Sequence, residues 1–177
     1  MNAGFNKKES SIALKAELIF KLTQGLIEIV PKDNKLFLQE TTVRFMLEDA
    51  MMIPAKISGA EAIDLYDIKM ENATIIRKCA QQLYVNAGNL RFEESIKDSE
   101  YIELLRDEIE EFRLLFIDWV ASFDQWNYII DRWGLFNPPG VTAHDKDPDD
   151  SISFNSKEYF DGLDLDNLDE DENDDDK

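Results

Sequence analysis

Apolar residues recur at alternating steps of three and four between residues 105 and 133, and this repeat constrains the fold more than any other feature. Such steps place side chains on one face of an α-helix, and a sustained seven-residue repeat is typical of helices packed side by side. The repeat predicts a helix that is capped by Asp98 or Ser99 and reaches Trp133, about 33 residues and roughly 50 Å long at 1.5 Å per residue. Its members are Leu105, Ile109, Phe112, Phe116, Trp119, Phe123, Trp126, Ile130 and Trp133.

Three shorter helical patterns precede this one. The first begins at Ser10 or Ser11, because a side-chain hydroxyl can accept an orphan backbone N–H, and it ends at Pro31. Apolar residues at helical spacing predict a second helix over residues 34–54 and a third over residues 61–86. Four helices of this kind predict an all-α protein.

A break is predicted between the second and third helices, because Pro54 removes a backbone donor and Ser58–Ala60 has the composition of a bend. Short connections favour an up-down bundle of four helices over residues 10–140. The chain before it, residues 1–9, is polar and predicted to be frayed. The chain after it, residues 141–177, is predicted to be a disordered tail.

The acidity of the chain is concentrated in that tail. The protein has 19 Lys and Arg against 38 Asp and Glu, a net charge of −19, and residues 144–177 contribute 15 acidic and 3 basic residues, or −12. This charge argues against direct binding of nucleic acid or of an anionic membrane surface. Residues 152–168 mix apolar and acidic side chains, a composition typical of partner-binding peptides. The apolar members proposed for contact are Phe154, Tyr159, Phe160, Leu163, Leu165 and Leu168.

The long aromatic helix is the second predicted interface. A helix of this length extends past its shorter neighbours, so part of its apolar row is left to bind a partner or another copy of the chain. The proposed contacts are Phe112, Trp119, Phe123, Trp126, Ile130 and Trp133. For the first two, a place in the core is the simpler explanation. For the last three, the alternative is that Leu135 and Phe136 fold back and cover them.

The sequence lacks the residues that most catalytic sites need. Its only histidine, His144, lies outside the predicted bundle, and its only cysteine, Cys79, is predicted to be a small buried thiol. Asp145-x-Asp147-x-Asp149 has neither the glycine nor the terminal glutamate of a calcium loop. We therefore expect no catalytic residues, no metal and no cofactor. There is also no signal-like stretch and no run of 18 apolar residues, so a cytoplasmic protein is expected.

Residues 42–57 read Thr-Val-Arg-Phe-Met-Leu-Glu-Asp-Ala-Met-Met-Ile-Pro-Ala-Lys-Ile. This run resembles the second helix of the 23S rRNA-intervening-sequence four-helix-bundle family, which includes the accessory variability protein of diversity-generating retroelements. Ala50, residues 53–55 and Ile57 match in register, and the resemblance spans roughly residues 12–123. The family's Arg pair falls on Leu47 and Glu48 here. The resemblance implies a bundle that assembles as a ring-shaped pentamer, with a role beside a reverse transcriptase and RNA.

These observations lead to three functional hypotheses. The first is a non-enzymatic, oligomeric helical adaptor or scaffold that binds another protein through the aromatic helix and the tail. The second is an accessory factor of a nucleic-acid-processing complex, with basic residues near one end of the bundle. The third is that the tail mimics nucleic acid and occupies a basic site on a partner. The basic residues of the second hypothesis are Lys7, Lys8, Lys15, Lys21, Lys32 and Lys35.

Overall fold

The computed structural model describes residues 10–30, 37–92 and 100–147, and within them the protein is all-helical. Four helices follow one another along the chain, with a short 3₁₀ turn after the third. Each of them packs against its neighbours in the order α1–α2–α3–α4, and α4 closes the ring on α1. This confirms the predicted four-helix bundle. The elements are α1 (Ser11–Ile29), α2 (Phe37–Glu61), α3 (Tyr66–Asn89), the 3₁₀ turn Leu90–Phe92 and α4 (Glu100–Ala121).

The ends of α1 follow the sequence signals. Ser10 is the N-cap, and its hydroxyl oxygen accepts a hydrogen bond from the backbone N–H of Ala13 at 3.3 Å. The same hydroxyl donates to a carboxylate oxygen of Glu61 at 2.6 Å, which ties the start of α1 to the end of α2. Val30 is extended, the conformation favoured before proline, so α1 stops at Ile29.

One continuous core fills the centre of the bundle. Every helix contributes large apolar side chains that are completely or almost completely buried. Burial of this kind is the main favourable term in folding. The largest of these side chains are Ile19 and Leu26 on α1, Met46, Ile53 and Ile57 on α2, Ile76 and Leu83 on α3, and Ile102, Leu105 and Phe112 on α4.

The predicted break in α2 is wrong. The helix continues through Pro54 and through Ser58–Ala60 to Glu61. Proline does remove one backbone donor, but Ile53 and Ile57 on either side of it are fully buried, and this packing holds the helix in place. The chain turns only at residues 62–65, so α3 begins at Tyr66 rather than at residue 61.

The prediction of a helix reaching Trp133 is also wrong, because α4 ends at Ala121. The backbone N–H groups of Ser122 and Phe123 bond three residues back, to Trp119 and Val120, both at 3.2 Å. The Ser122 hydroxyl also donates to the Trp119 carbonyl at 2.6 Å. These contacts satisfy two of the last four carbonyls of the helix and close it. Consequently α4, with 22 residues, does not outrun α2 and α3, which have 25 and 24.

Residues 1–144 and 145–177 form two units, and the structure describes residues 145–147 of the second. The predicted frayed segment, residues 1–9, lies outside the described residues, as does residue 148 onward, including the predicted partner segment 152–168. No helix in the described part of the chain is long and apolar enough to cross a membrane.

Candidate functional site

The segment after α4, residues 122–144, contains two tight turns, each formed around an aspartate. In the first turn, the Asp124 side chain accepts a hydrogen bond from the backbone N–H of Trp126 at 3.0 Å. In the second, the Asp131 side chain accepts one from the N–H of Trp133 at 2.8 Å. An aspartate that bonds the backbone two residues ahead competes with helix formation, so these turns explain why the chain leaves the helical path.

The second turn is the more heavily bonded of the two. The other carboxylate oxygen of Asp131 accepts hydrogen bonds from the N–H groups of Leu135 and Phe136, at 2.8 and 2.9 Å. Asn137 pairs with the Asp131 backbone in both directions, at 2.8 and 2.9 Å. Gly134 has a φ of +74°, which a glycine adopts without strain. Hydrogen bonds from the backbone, chiefly that of Phe136, lower the pKa of Asp131.

The two turns repeat at an interval of seven residues. Each consists of an apolar residue, an aspartate, any residue and a tryptophan. The apolar residues Phe123 and Ile130 are buried, with 7% and 5% of their surface exposed. The tryptophans Trp126 and Trp133 are 90% and 91% exposed. The heptad spacing therefore comes from a repeated turn that buries its first residue and directs its fourth into solvent.

The segment is fixed to the N-terminal end of α3. The N–H of Tyr66, the first residue of that helix, donates to the Asn127 carbonyl at 2.7 Å, and the N–H of Ile129 donates to the Asp67 carboxylate at 3.1 Å. The N-cap Leu65 has no side chain that could do this, so the segment itself satisfies one of the orphan N–H groups of the helix. Hydrogen bonds to α3 thus hold the backbone that carries the exposed tryptophans.

Phe123 holds the near end of the segment. It belongs to a small apolar cluster with Tyr66 and Ala73 of α3. Its ring packs nearly perpendicular to that of Trp119, with centroids 4.7 Å apart, and the Lys69 ammonium lies 5.6 Å from the centre of the Phe123 ring. Edge-to-face aromatic pairs and cation–π contacts add to the gain from burial. This cluster extends the bundle core past the last turn of α4.

The structure divides the six proposed aromatic-helix contacts into two groups. Phe112, Phe123 and Ile130 are buried, and Trp119 is partly buried against both apolar clusters. Trp126 and Trp133 are open to solvent. The alternative that Leu135 and Phe136 cover Trp126, Ile130 and Trp133 is wrong for the two tryptophans, since both indoles are at least 90% exposed; of the three, Ile130 alone is buried. We call Trp126 and Trp133 the tryptophan pair. Seven residues of fully extended chain span at most about 25 Å, so one partner surface can reach both.

A groove of about 1010 Å³ lies elsewhere on the bundle and was not predicted from the sequence. Three helices contribute to it, and its apolar lining joins exposed walls to a buried floor. Residues distant in sequence form it, so no local pattern marks it. The walls include Phe45, Val85 and Ile117, and the floor includes Ala80, Ile109 and Phe112. Charges of both signs line it as well, including Glu48, Arg77, Glu110 and Arg113.

Cys79 is a buried, free thiol, as predicted. Burial, together with the charge of the neighbouring Asp49 carboxylate and a hydrogen bond to it, raises its pKa to about 11. Burial also raises the pKa of Asp49. A thiol with a raised pKa is a poor nucleophile, because the thiolate is the reactive form.

Of the basic residues proposed for nucleic-acid contact, Lys7, Lys8, Lys32 and Lys35 lie outside the described residues. Lys15 is engaged within the bundle, where its ammonium lies 2.5 Å from Glu108 and 2.6 Å from Glu111. These contacts raise its pKa and tie α1 to α4. Lys21 is exposed on α1.

The described residues contain no group of three or more His, Cys, Asp or Glu side chains placed to hold a metal ion. Comparison of the chain with models of protein families, with curated proteins and with solved structures found no match. The tryptophan pair is therefore considered as a candidate site on its geometry alone.

Proposed function

We propose that this protein is a non-enzymatic helical adaptor that binds another protein through Trp126 and Trp133. The observation that carries the proposal is the exposure of both indoles, at 90% and 91%, on a segment that is held to the bundle by the buried side chains of Phe123 and Ile130. Exposed tryptophans lose favourable burial, and tryptophan is enriched among the residues that dominate binding energy at interfaces. The non-enzymatic part of the proposal rests on the sequence, whose single histidine lies beyond the bundle.

The anchored backbone supports the same proposal. Hydrogen bonds to Asp67, Asp124 and Asp131 hold the segment in one conformation before a partner arrives. A surface that is already ordered loses little conformational entropy on binding, so more of the contact energy appears as affinity. Two indoles that a single surface can reach would then act as paired anchors.

Site-specific photo-crosslinking tests this proposal. A photoreactive phenylalanine derivative would replace Trp126 or Trp133 in the full chain, expressed in the cells from which the protein comes. The matched control carries the same group at Leu14, an exposed apolar residue on α1. We expect one protein adduct common to positions 126 and 133 and absent at position 14. The purified adduct protein should then bind the wild type, and lose affinity for the Trp126→Ala/Trp133→Ala variant. No adduct, or the same adducts at position 14, would contradict the proposal.

Self-association is the competing use of the tryptophan pair, and the family resemblance implies a pentameric ring. We rank it second because each copy carries a net charge of −19, and like-charged copies repel at low salt. Light scattering at micromolar concentration separates the two uses. An oligomer that the Trp126→Ala/Trp133→Ala variant dissociates would assign the pair to self-association rather than to another protein.

The nucleic-acid accessory role has weaker support. Lys15 is engaged with Glu108 and Glu111, so less of its charge is offered to a phosphate backbone. A gel shift with structured RNA at low salt tests this role, using the full chain and a chain that ends at Ala143. Binding by either one would restore the hypothesis.

A further inference from the structure

The chain around the tryptophan pair is acidic. Helix α4 carries seven acidic and two basic residues, and the segment from Ser122 to His144 carries Asp124 and Asp131 against Arg132. Asp118, in the last turn of α4, is exposed. Close to the indoles in sequence, Asp118, Asp124 and Asp131 outnumber Arg132, so the local electrostatic field that a partner meets there is negative.

The charges closest to the indoles in sequence are fixed in place. Asp124 and Asp131 each lie two residues before a tryptophan and bond its backbone N–H, so a carboxylate accompanies each indole. The one cation between the two tryptophans, Arg132, donates from Nη1 to the Ala143 carbonyl at 3.0 Å. Its guanidinium is thus engaged within its own segment.

An exposed indole is the best aromatic partner for a cation. The face of the ring carries negative charge density, and guanidinium and ammonium groups bind over tryptophan more strongly than over tyrosine or phenylalanine. Arginine is the more frequent partner in such pairs, since its planar group also stacks on the ring. A carboxylate near the indole also attracts the cation.

We propose that the tryptophan pair binds an arginine- or lysine-rich segment of the partner protein, with cationic side chains lying over the indoles of Trp126 and Trp133. This inference rests on the proposed adaptor function and names the chemistry of its partner. The acidic residues around the pair favour a cationic segment over two other occupants. A second copy and a phosphate-bearing surface are both negatively charged, and the field around the pair repels them.

The test uses a fluorescently labelled peptide of four Arg-Gly-Ser repeats and the full-length protein at physiological ionic strength. Binding is followed by fluorescence anisotropy of the label. A second peptide with citrulline in place of arginine has nearly the same shape and no charge. Three variants are compared with the wild type: Trp126→Ala/Trp133→Ala, Trp126→Leu/Trp133→Leu, and the control Leu104→Ala/Leu114→Ala, which removes exposed apolar side chains from α4.

The acidic tail attracts the arginine peptide in every variant, so the difference between variants is the informative quantity. Loss of two cation–π contacts at exposed sites predicts that both tryptophan variants bind the arginine peptide about fivefold more weakly or worse. The control variant Leu104→Ala/Leu114→Ala should stay within twofold of the wild type. The citrulline peptide should show no such difference. Affinity that is equal in the wild type and both tryptophan variants would overturn the inference. A Trp→Leu variant as tight as the wild type would also overturn it, because apolar bulk alone would then suffice.

A failure here is distinguishable from a failure of the adaptor proposal. If cross-linking finds a partner at positions 126 and 133 but the arginine peptide shows no dependence on tryptophan, the adaptor stands and its partner is not cationic. A third arm with phosphatidylcholine vesicles covers the lipid alternative. A vesicle-induced blue shift of tryptophan emission in the wild type, without tryptophan-dependent peptide binding, would overturn the inference in favour of a membrane surface.

Discussion

The carboxylate of Asp67 accepts a hydrogen bond from the backbone N–H of Ile129, with the oxygen and the nitrogen 3.1 Å apart. These two residues are 62 positions apart in the chain, and Asp67 lies in the first turn of α3. The carboxylate therefore stabilises the positive end of that helix and holds the tryptophan-bearing segment at the same time.

Removal of this acceptor should destabilise the protein. Asp67→Ala leaves the N–H of Ile129 without its partner, and hydrogen bonds to charged groups contribute about 1.5–3 kcal/mol. We expect the free energy of unfolding, measured with urea, to fall by about that amount. Asp67→Asn is the matched control, since its side-chain oxygen can still accept the bond, and its loss should be smaller. Equal stabilities of the Ala and Asn variants would contradict the assignment.

The buried and exposed members of the seven-residue repeat should respond very differently to truncation. Phe123→Ala should cost about 3–5 kcal/mol and Ile130→Ala about 2–5 kcal/mol, because each leaves a cavity under the segment. Trp126→Ala and Trp133→Ala should change stability by about 0.5 kcal/mol or less, since both side chains are in solvent. Chemical unfolding of the four variants measures this. A tryptophan variant as destabilised as Phe123→Ala would mean that the indole is packed.

This contrast shows how far the sequence predicted the fold. The limits of α1 follow from Ser10 and from Val30 before proline, which are local signals. Phe123 and Ile130 are buried, as a heptad places them, but the structure reaches that result with turns instead of a helix. A seven-residue spacing of apolar residues is compatible with a helix and with repeated turns, and in the sequence only the aspartates at 124 and 131 indicate the turns. The hydrogen bonds that decide between them, from the segment to α3, join residues too distant for any sequence pattern.

The groove and the Lys15 ion pairs were missed for a similar reason. Phe45, Val85 and Ile117 lie on three different helices, and nothing in one helix shows which side chains the others place beside it. Lys15 and Glu108 are 93 residues apart. The sequence therefore predicts which residues are apolar or charged, and the packing of the bundle decides which of them meet.

Gly88 and Arg106 form a close contact that a methyl group would disturb. A Cβ at position 88 would lie 2.6 Å from Nη1 of Arg106. That guanidinium donates to the Tyr84 carbonyl at 2.8 Å and lies 3.7 Å from the centre of its ring. Gly88→Ala gains about 1 kcal/mol of helix propensity but displaces these contacts. With Arg106 present, we therefore expect Gly88→Ala to give little or no net stabilisation.

The Arg106→Ala background isolates the two effects. With the guanidinium gone, Gly88→Ala should stabilise the protein by about 1 kcal/mol. Urea unfolding of the two single variants and the double variant gives the coupling between the positions. If Gly88→Ala has the same effect in both backgrounds, the close contact does not limit position 88.

The thiol of Cys79 should titrate well above its ordinary range. Burial and the Asp49 carboxylate raise its pKa to about 11, so the rise in thiolate absorbance should have its midpoint near pH 11 instead of near pH 9. The folded pKa is higher than the unfolded one, so the folded state favours the protonated thiol. The stability from this group is therefore present below about pH 9 and is lost as the pH rises towards 11. Asp49→Asn removes the negative charge and should move the titration to lower pH. If the Cys79 pKa is the same in Asp49→Asn as in the wild type, Asp49 does not contribute to the raised pKa.

The measurement that bears most directly on the central claim is collisional quenching of tryptophan fluorescence by acrylamide. Three variants would each retain one tryptophan, Trp119, Trp126 or Trp133, with phenylalanine at the other two positions, at a protein concentration low enough to prevent association. We predict that Trp126 and Trp133 emit at long wavelength and are quenched almost as readily as a free indole, while the partly buried Trp119 emits to the blue and is shielded. Shielding of Trp126 and Trp133 comparable to that of Trp119 would show that the two indoles are covered in solution. It would remove the basis for their role as a docking pair.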